Sequence, residues 1–296
     1  MDLFLQRVFD AVTNGSTYAL IAVAMVLIFK ATTLINFAQG EQAMLGAFVV
    51  LQLWDWGVPM WGAVVIGMCF SGVLAAFLER TLIRKFDPSD HLPLVIITLG
   101  LFLVINATAA IIWRFDPKSF PELFPSGNAF AMNNVRLSWY TIFAFASCVI
   151  VLFVLQTLLT RTKMGLAFRA VSSNIESSRL SGIKIGSTLQ FGWMLAAAAG
   201  TLGASIYAAN PVLQIEPSMM LRALILSVTA AALGGLDSLW GALIGGLTIG
   251  FVQSVLVQYI PFIPNEMSLS AAVIVLLIVL IFRPSGVLGT RAVERV

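Results

Sequence analysis

The sequence predicts an all-α integral membrane protein: a polytopic helical bundle with eight or nine transmembrane helices, the second segment continuous or broken. Three observations predict it. The first is composition: 59% of the 296 residues are hydrophobic and only 10% charged, whereas soluble domains carry about 25% charged residues. The second is distribution, because residues 92–113, 185–215 and 238–265 contain no charge at all, and roughly 20 apolar residues suffice for a helix to cross a bilayer. The third is the placement of the bases. Of 17 Lys and Arg, 12 fall at one face of the threading that these runs imply: Lys30, Arg80, Arg84, Lys85, Arg161, Lys163, Arg169, Arg179, Lys184, Arg283, Arg291 and Arg295. Such an asymmetry orients a membrane protein with its basic loops in the cytoplasm. The net charge of +3 is therefore read as topology, and nucleic acid is not an expected partner.

Taken in order, the runs predict spans near 9–30, 34–54, 58–79, 92–113, 139–159, 188–209, 219–235, 239–258 and 267–283. Nine crossings place the N-terminus outside and the C-terminus inside; a broken or re-entrant second segment reduces the count to eight and moves the N-terminus inside. The opening "MDLFLQRVFD" is not basic, and its apolar stretch runs on beyond the length of a signal-peptide core, so it is expected to begin a spanning helix. Residues 114–138, with three prolines and mixed charge, read as a structured outer cap, either a docking surface or a plain connector. Cys69 and Cys148 lie inside two different apolar runs, and the lone His91 opens a helix; none of the three has the spacing of a disulfide or metal site. Every loop is shorter than an independent domain, so residues 1–296 are expected to form one membrane domain.

The second segment is the odd one. In "INFAQGEQAMLGAF", residues 35–48, an acid and three amides interrupt an apolar run. Polar side chains at membrane depth face protein or a water-filled cavity. On a continuous helix Asn36, Gln39 and Gln42 recur at i, i+3 and i+6 and form a stripe. Gly40, Ala43 and Ala47 make a neighbouring strip suited to close helix approach. Asn36, Gln39, Gly40 and Gln42 therefore read either as the lining of a solute pathway or as interhelical hydrogen-bonding groups that hold the fold, with Glu41 near the inner interface. A second Gly-interrupted stretch, "LGGLDSLWGALIGGLTIG" over 233–250, reads as a pathway segment or as ordinary close packing. Arg222, near the outer end of its helix, is expected to snorkel to the interface.

The inner loop 161–187 carries a sharper pattern. Ser173 and Glu176 in "SNIE" fit a capping box, and Gly182 follows about two turns later as a helix stop. A short capped helix here is either a connector or a rigid docking knob. Nothing suggests catalysis: no Gly-Lys pair exists for a phosphate loop, there is no HExxH, and one His cannot supply a triad and a metal set. Any nucleotide is expected to be held by another protein, and no cofactor by this chain.

Four stretches, in order along nearly the whole chain, resemble the smaller permease subunit of branched-chain amino acid ABC importers. They are "GSTYALIAVAMVLIFKATTLINFAQGEQAMLGAF", "RTKMGLAFRAVSSNIESSRLSGI", "ALGGLDSLWGALIGG" and "FRPSGVLG". Gln39 departs from the pattern, since many members have His there; a neutral amide makes hydrogen bonds but takes up no proton at physiological pH. The resemblance implies a bacterial inner-membrane assembly: a second permease subunit, two cytoplasmic ATPase subunits that hydrolyse ATP, and a periplasmic solute-binding protein. Residues 161–187 would be the coupling loop, with Arg169, Ser173, Asn174, Glu176, Arg179 and Gly182 toward the ATPase. The solute would be a branched-chain or similar small amino acid, or urea or a short amide. An ion-coupled secondary carrier is the rival outside this class.

Overall fold

The computed structural model describes residues 2–86, 91–132, 135–210, 214–260, 264 and 267–290. Arg291, Arg295 and the His91 side chain lie outside the described set. Helices dominate: α1 (Asp2–Thr32), α2 (Gln39–Asp55), α3 (Met60–Thr81) and α4 (His91–Trp113) precede a small ribbon of β1 (Asn128–Met132) and β2 (Val135–Ser138). Then follow α5 (Trp139–Arg161), α6 (Lys163–Ser173), α7 (Ile175–Leu180), α8 (Ile185–Ala208), α9 (Met219–Gly234), α10 (Leu239–Phe251), a π turn (Val252–Leu256), α11 (Val257–Tyr259) and α12 (Ser268–Phe282).

Among the described residues six helices are long and apolar enough to cross a membrane, and α9 and α12 are shorter apolar helices. The chain is thus a polytopic helical membrane protein. At 1.5 Å per residue, α2, α9 and α12 extend only about 22–26 Å, less than the roughly 30 Å hydrocarbon core. Those segments were expected as full crossings; as helices they are short of one.

α1 and α8 form the centre. From Gly15 to Ile28 every α1 residue is buried, and α8 is buried along most of its length. A helix apolar all round belongs inside a bundle. The "LGGLDSLWGALIGGLTIG" stretch is the packing seam that permits this. A side-chain carbon at Gly246 would sit 2.7 Å from the Ala19 backbone, and one at Gly15 would sit 2.8 Å from Leu247 Cα, so α1 and α10 touch backbone to backbone. The pathway reading of that stretch is not needed to explain its glycines.

Hydrogen bonds sort the ends of the helices. Arg136 N donates to Gln6 Oε1 at 2.7 Å, tying the start of α1 to the ribbon in 114–138. Its other end is tied by Lys30 Nζ, which donates to Asp237 O at 2.8 Å in the α9–α10 turn. The 114–138 segment is structured: Leu123 and Phe124 are buried, Phe124 stacks on Phe143 and meets Tyr140 edge-on, and Lys118 pairs with Ile215.

Candidate functional site

The polar string does not form one helix. α1 stops at Thr32, Thr33 has φ +55°, and α2 starts only at Gln39, so Asn36 sits in an unwound stretch, 33–38. The predicted Asn36–Gln39–Gln42 stripe on a single helix is corrected accordingly. Asn36 is the local cause. Its Oδ1 accepts from Ala38 N at 3.0 Å, and short polar side chains that satisfy the backbone locally compete with helix.

The stretch carries the chain into the bundle before α2 begins. Gln39 Nε2 donates to Ala196 O at 3.0 Å, halfway along α8, and Asn36 Nδ2 reaches Gln39 Oε1 at 3.5 Å. A side-chain carbon on Gly40 would press on Leu224 of α9 at 3.2 Å. Asn36, Gln39, Glu41 and Gln42 are each 2% exposed or less. Glu41 is not at the inner interface: Asn106 Nδ2 donates to its Oε2 at 3.1 Å and also to Pro217 O at 2.7 Å. Both amide atoms of Gln42 and Oε1 of Glu41 are buried without a hydrogen-bond partner. Unmatched buried groups cost roughly 1–3 kcal/mol each.

Beneath the unwound stretch lies a cavity of about 210 Å³, lined by Asn36, Thr32, Glu79, Arg84, Arg179 and Gly186 among others. A clamp that sequence reading missed closes its side. The Glu79 side chain is 2% exposed and receives two hydrogen bonds from Arg84, from Nε at 3.0 Å and Nη2 at 2.5 Å. The same Nη2 donates to Gly186 O at 2.8 Å and Gln190 Oε1 at 3.3 Å, and Gln190 Nε2 donates to Ala76 O at 3.0 Å. The end of α3 is thereby locked to the start of α8. A side-chain carbon at Gly186 would lie 2.9 Å from the Arg84 guanidinium, so glycine there is what lets arginine in.

The inner loop resolves into two helices. Thr162 caps α6 by accepting from Gly165 N at 3.0 Å, and the fully buried Phe168 pins α6 against α8, where Gly192 leaves its ring room. The cap of α7 is Asn174, whose Oδ1 accepts from Ser177 N at 2.8 Å. The predicted capping box on Ser173 is therefore corrected: Ser173 is spent as the last residue of α6, and the next side chain takes over. Gly182 ends α7 as expected, with φ +78° and its N donating to Arg179 O at 3.1 Å. Arg169, Ser173, Asn174, Glu176, Arg179 and Gly182 are all exposed. Leu180, at 90% exposure, is the most exposed large apolar residue described.

The two C-terminal motifs prove to be one unit. Val287 N donates to Leu233 O at 2.8 Å and Leu288 N to Gly234 O at 2.9 Å, while Asp237 accepts from Thr290 through its backbone and hydroxyl. Gly235 and Gly286, both at positive φ, face each other. A side-chain carbon on Gly286 would lie 2.6 Å from Gly235 N.

At the opposite end of the bundle opens a cavity of about 900 Å³. It too was missed, because its walls come from α1, the 114–138 cap, α5, α8, α9, the π turn and α12, elements scattered along the chain. Arg222, exposed in the first turn of α9, lines it and donates to Ser268 Oγ at 2.8 Å. Cys69 and Cys148 are free. Among the described residues no group of His, Cys, Asp and Glu is placed to hold a metal.

The family described as branched-chain amino acid transport system, permease component, matches residues 7–282. The high-affinity branched-chain amino acid transport system permease protein BraD of Pseudomonas aeruginosa is 30% identical, across 99% of this chain and 98% of its own. LivH of Escherichia coli K12, described in the same words, is also 30% identical with the same two coverages. Among solved structures, a chain of PsaBC from Streptococcus pneumoniae in complex with Fab aligns over 96% of this chain and 93% of its own, at 13% identity and TM-score 0.48.

Proposed function

The chain belongs to the branched-chain amino acid transport permease family, and from that premise we propose that it is the gate-forming subunit of an ATP-driven importer of branched-chain or similar small amino acids. In this reading it lies in the bacterial inner membrane as a multi-pass protein, with α2 a short, buried segment that follows the unwound stretch 33–38. A second permease subunit, alike or different, completes the pore. Two ATPase subunits hydrolyse ATP beneath it and a periplasmic binding protein delivers the solute above.

The observation that carries the reading is the unwound stretch 33–38 with the polar cluster behind it. A zwitterion crossing lipid needs several weak polar partners that let it go again. Asn36, Gln39 and Gln42 offer amides inside the bundle, Gly40 lets Leu224 of α9 close over them, and Gln42 holds both its amide atoms unspent. In the closed arrangement this cluster is buried; we place the pathway where it parts. The drive enters through α7. Its exposed face, with Glu176, Arg179 and Leu180, seats in an ATPase groove, Arg169 flanks it, and Asn174 and Gly182 keep its two ends stiff. From α7 the chain runs directly into α8, which Arg84 locks to α3 and Gln39 locks to the broken stretch.

The test is reconstitution in proteoliposomes with the second permease, the ATPases and the binding protein. Leucine, isoleucine or valine accumulates only while ATP is hydrolysed. Uptake of urea and not leucine would replace the solute; uptake by this chain without ATPases would make it a secondary carrier and end the reading.

A further inference from the structure

We propose that the outer 900 Å³ cavity is a solute-receiving subsite contained within this one chain, with Arg222 as the group that takes the solute's carboxylate. The inference rests on the amino acid importer reading and adds to it the place and chemistry of first contact. Placement comes first. Arg222 stands in the first turn of α9, exposed and on the wall of the cavity. A cation beside a membrane-spanning bundle is stabilised by an anion or a water-filled cavity. Among the described residues the ion pairs are Arg7–Asp10 and Arg84–Glu79, and Arg222 bonds only the neutral Ser268 hydroxyl. Its charge is directed into a cavity and matched by nothing described.

The remaining walls fit an amino acid rather than a bare anion. Tyr18 and Tyr207 bring hydroxyls to the same cavity, and Phe9, Leu123 and Phe124 supply apolar surface for an aliphatic side chain. Glu122 also lines it and gives the ammonium a counter-charge, while Asp10 and Arg7 on the same wall are paired with each other and Arg136 stands by the rim. The helix wall opens at this level into the π turn Val252–Leu256, which carries Gln253 and Ser254 onto the cavity. π turns of this kind concentrate at functional sites. Gln253 Nε2 is buried there with no hydrogen-bond partner, a second donor held ready. Guanidinium and carboxylate form charge-assisted, often bidentate bonds, whereas a solute without a carboxylate gains nothing from Arg222.

The complete importer in proteoliposomes tests this with Arg222→Gln and Arg222→Lys, reading leucine uptake, ATP hydrolysis stimulated by loaded binding protein, and assembly by size-exclusion chromatography. Arg222→Gln is expected to lower leucine uptake at least tenfold, about 1.4 kcal/mol, with assembly and stimulated hydrolysis retained, while Arg222→Lys keeps uptake within about threefold of wild type. Wild-type uptake of leucine that Arg222→Gln leaves unchanged overturns the subsite and spares the importer reading. A wild-type complex that carries no amino acid overturns the reading itself. Loss of assembly in both variants makes Arg222 a structural brace and overturns the proposal. So does an effect of phosphatidylglycerol on wild type that vanishes in Arg222→Gln, which would make the occupant a lipid headgroup.

Discussion

The two ends of the bundle each carry an arginine at a cavity, and the two are held differently. At the inner end Arg84 gives two bonds to Glu79 and others to Gly186 and Gln190, Lys30 holds the Asp237 carbonyl, and the cavity is about 210 Å³. At the outer end, beside a cavity of about 900 Å³, Arg222 meets no carboxylate and Gln253 Nε2 no acceptor among the described residues. Satisfied polar networks rigidify, and unsatisfied ones at a cavity wall wait for a partner. In the proposed importer the inner half would transmit motion and the outer half would receive solute. Between them the main chain leaves the helix at the unwound stretch 33–38.

The largest effect should come from breaking the inner clamp. Glu79→Ala leaves the Arg84 charge with only carbonyl and amide partners, and removing one member of a buried pair costs roughly 3–5 kcal/mol. The partial exposure of Arg84 places the expectation near the lower end, read as loss of unfolding free energy in mixed micelles. A cost under about 1 kcal/mol, the level of an exposed pair, would mean that the two ends differ less than their hydrogen bonds imply.

Next comes the seam on which both ends depend. Gly246→Val forces two branched methyls against the Ala19 backbone, and overpacking of this kind costs about 1–3 kcal/mol. Leu243→Val on the same helix is the control, and the two should separate clearly in thermal melting of the purified chain. Equal melting temperatures would show that α1 and α10 can part without loss.

The smallest effect sharpens the comparison most. Asn174→Ala removes the α7 cap, worth about 1 kcal/mol, and should lower uptake per ATP hydrolysed while hydrolysis continues. Ser173→Ala should leave that ratio unchanged, because its neighbour does the capping. A reversal of the two would restore the capping box that the sequence suggests.

These residues also explain how far sequence reading could go. The membrane class was legible because hydropathy acts locally. The stop at Gly182 was legible because a left-handed residue favours glycine. The cap of α7 was misplaced by one position because Ser173 and Asn174 are both good caps, and only the end of α6 decides between them. The break at 33–38 was signalled by "INFAQG" but not fixed by it, since the apolar pattern on either side suits a continuous helix as well. The packing places of Arg222 and Arg84 were opaque for another reason. Arg222 meets Ser268, 46 positions on, and Arg84 meets Gly186, 102 positions on; such pairings arise from packing and leave no mark in the local sequence.

The central claim is that this chain is a gate moved from below through α7. A photo-crosslinking residue in place of Leu180, the exposed tip of that helix, tests it most directly in the assembled importer. The account predicts a covalent adduct with an ATPase subunit and, after irradiation, a steep fall in ATP-driven uptake. An adduct confined to lipid, or uptake that continues undiminished with α7 fixed to the ATPase, would contradict it.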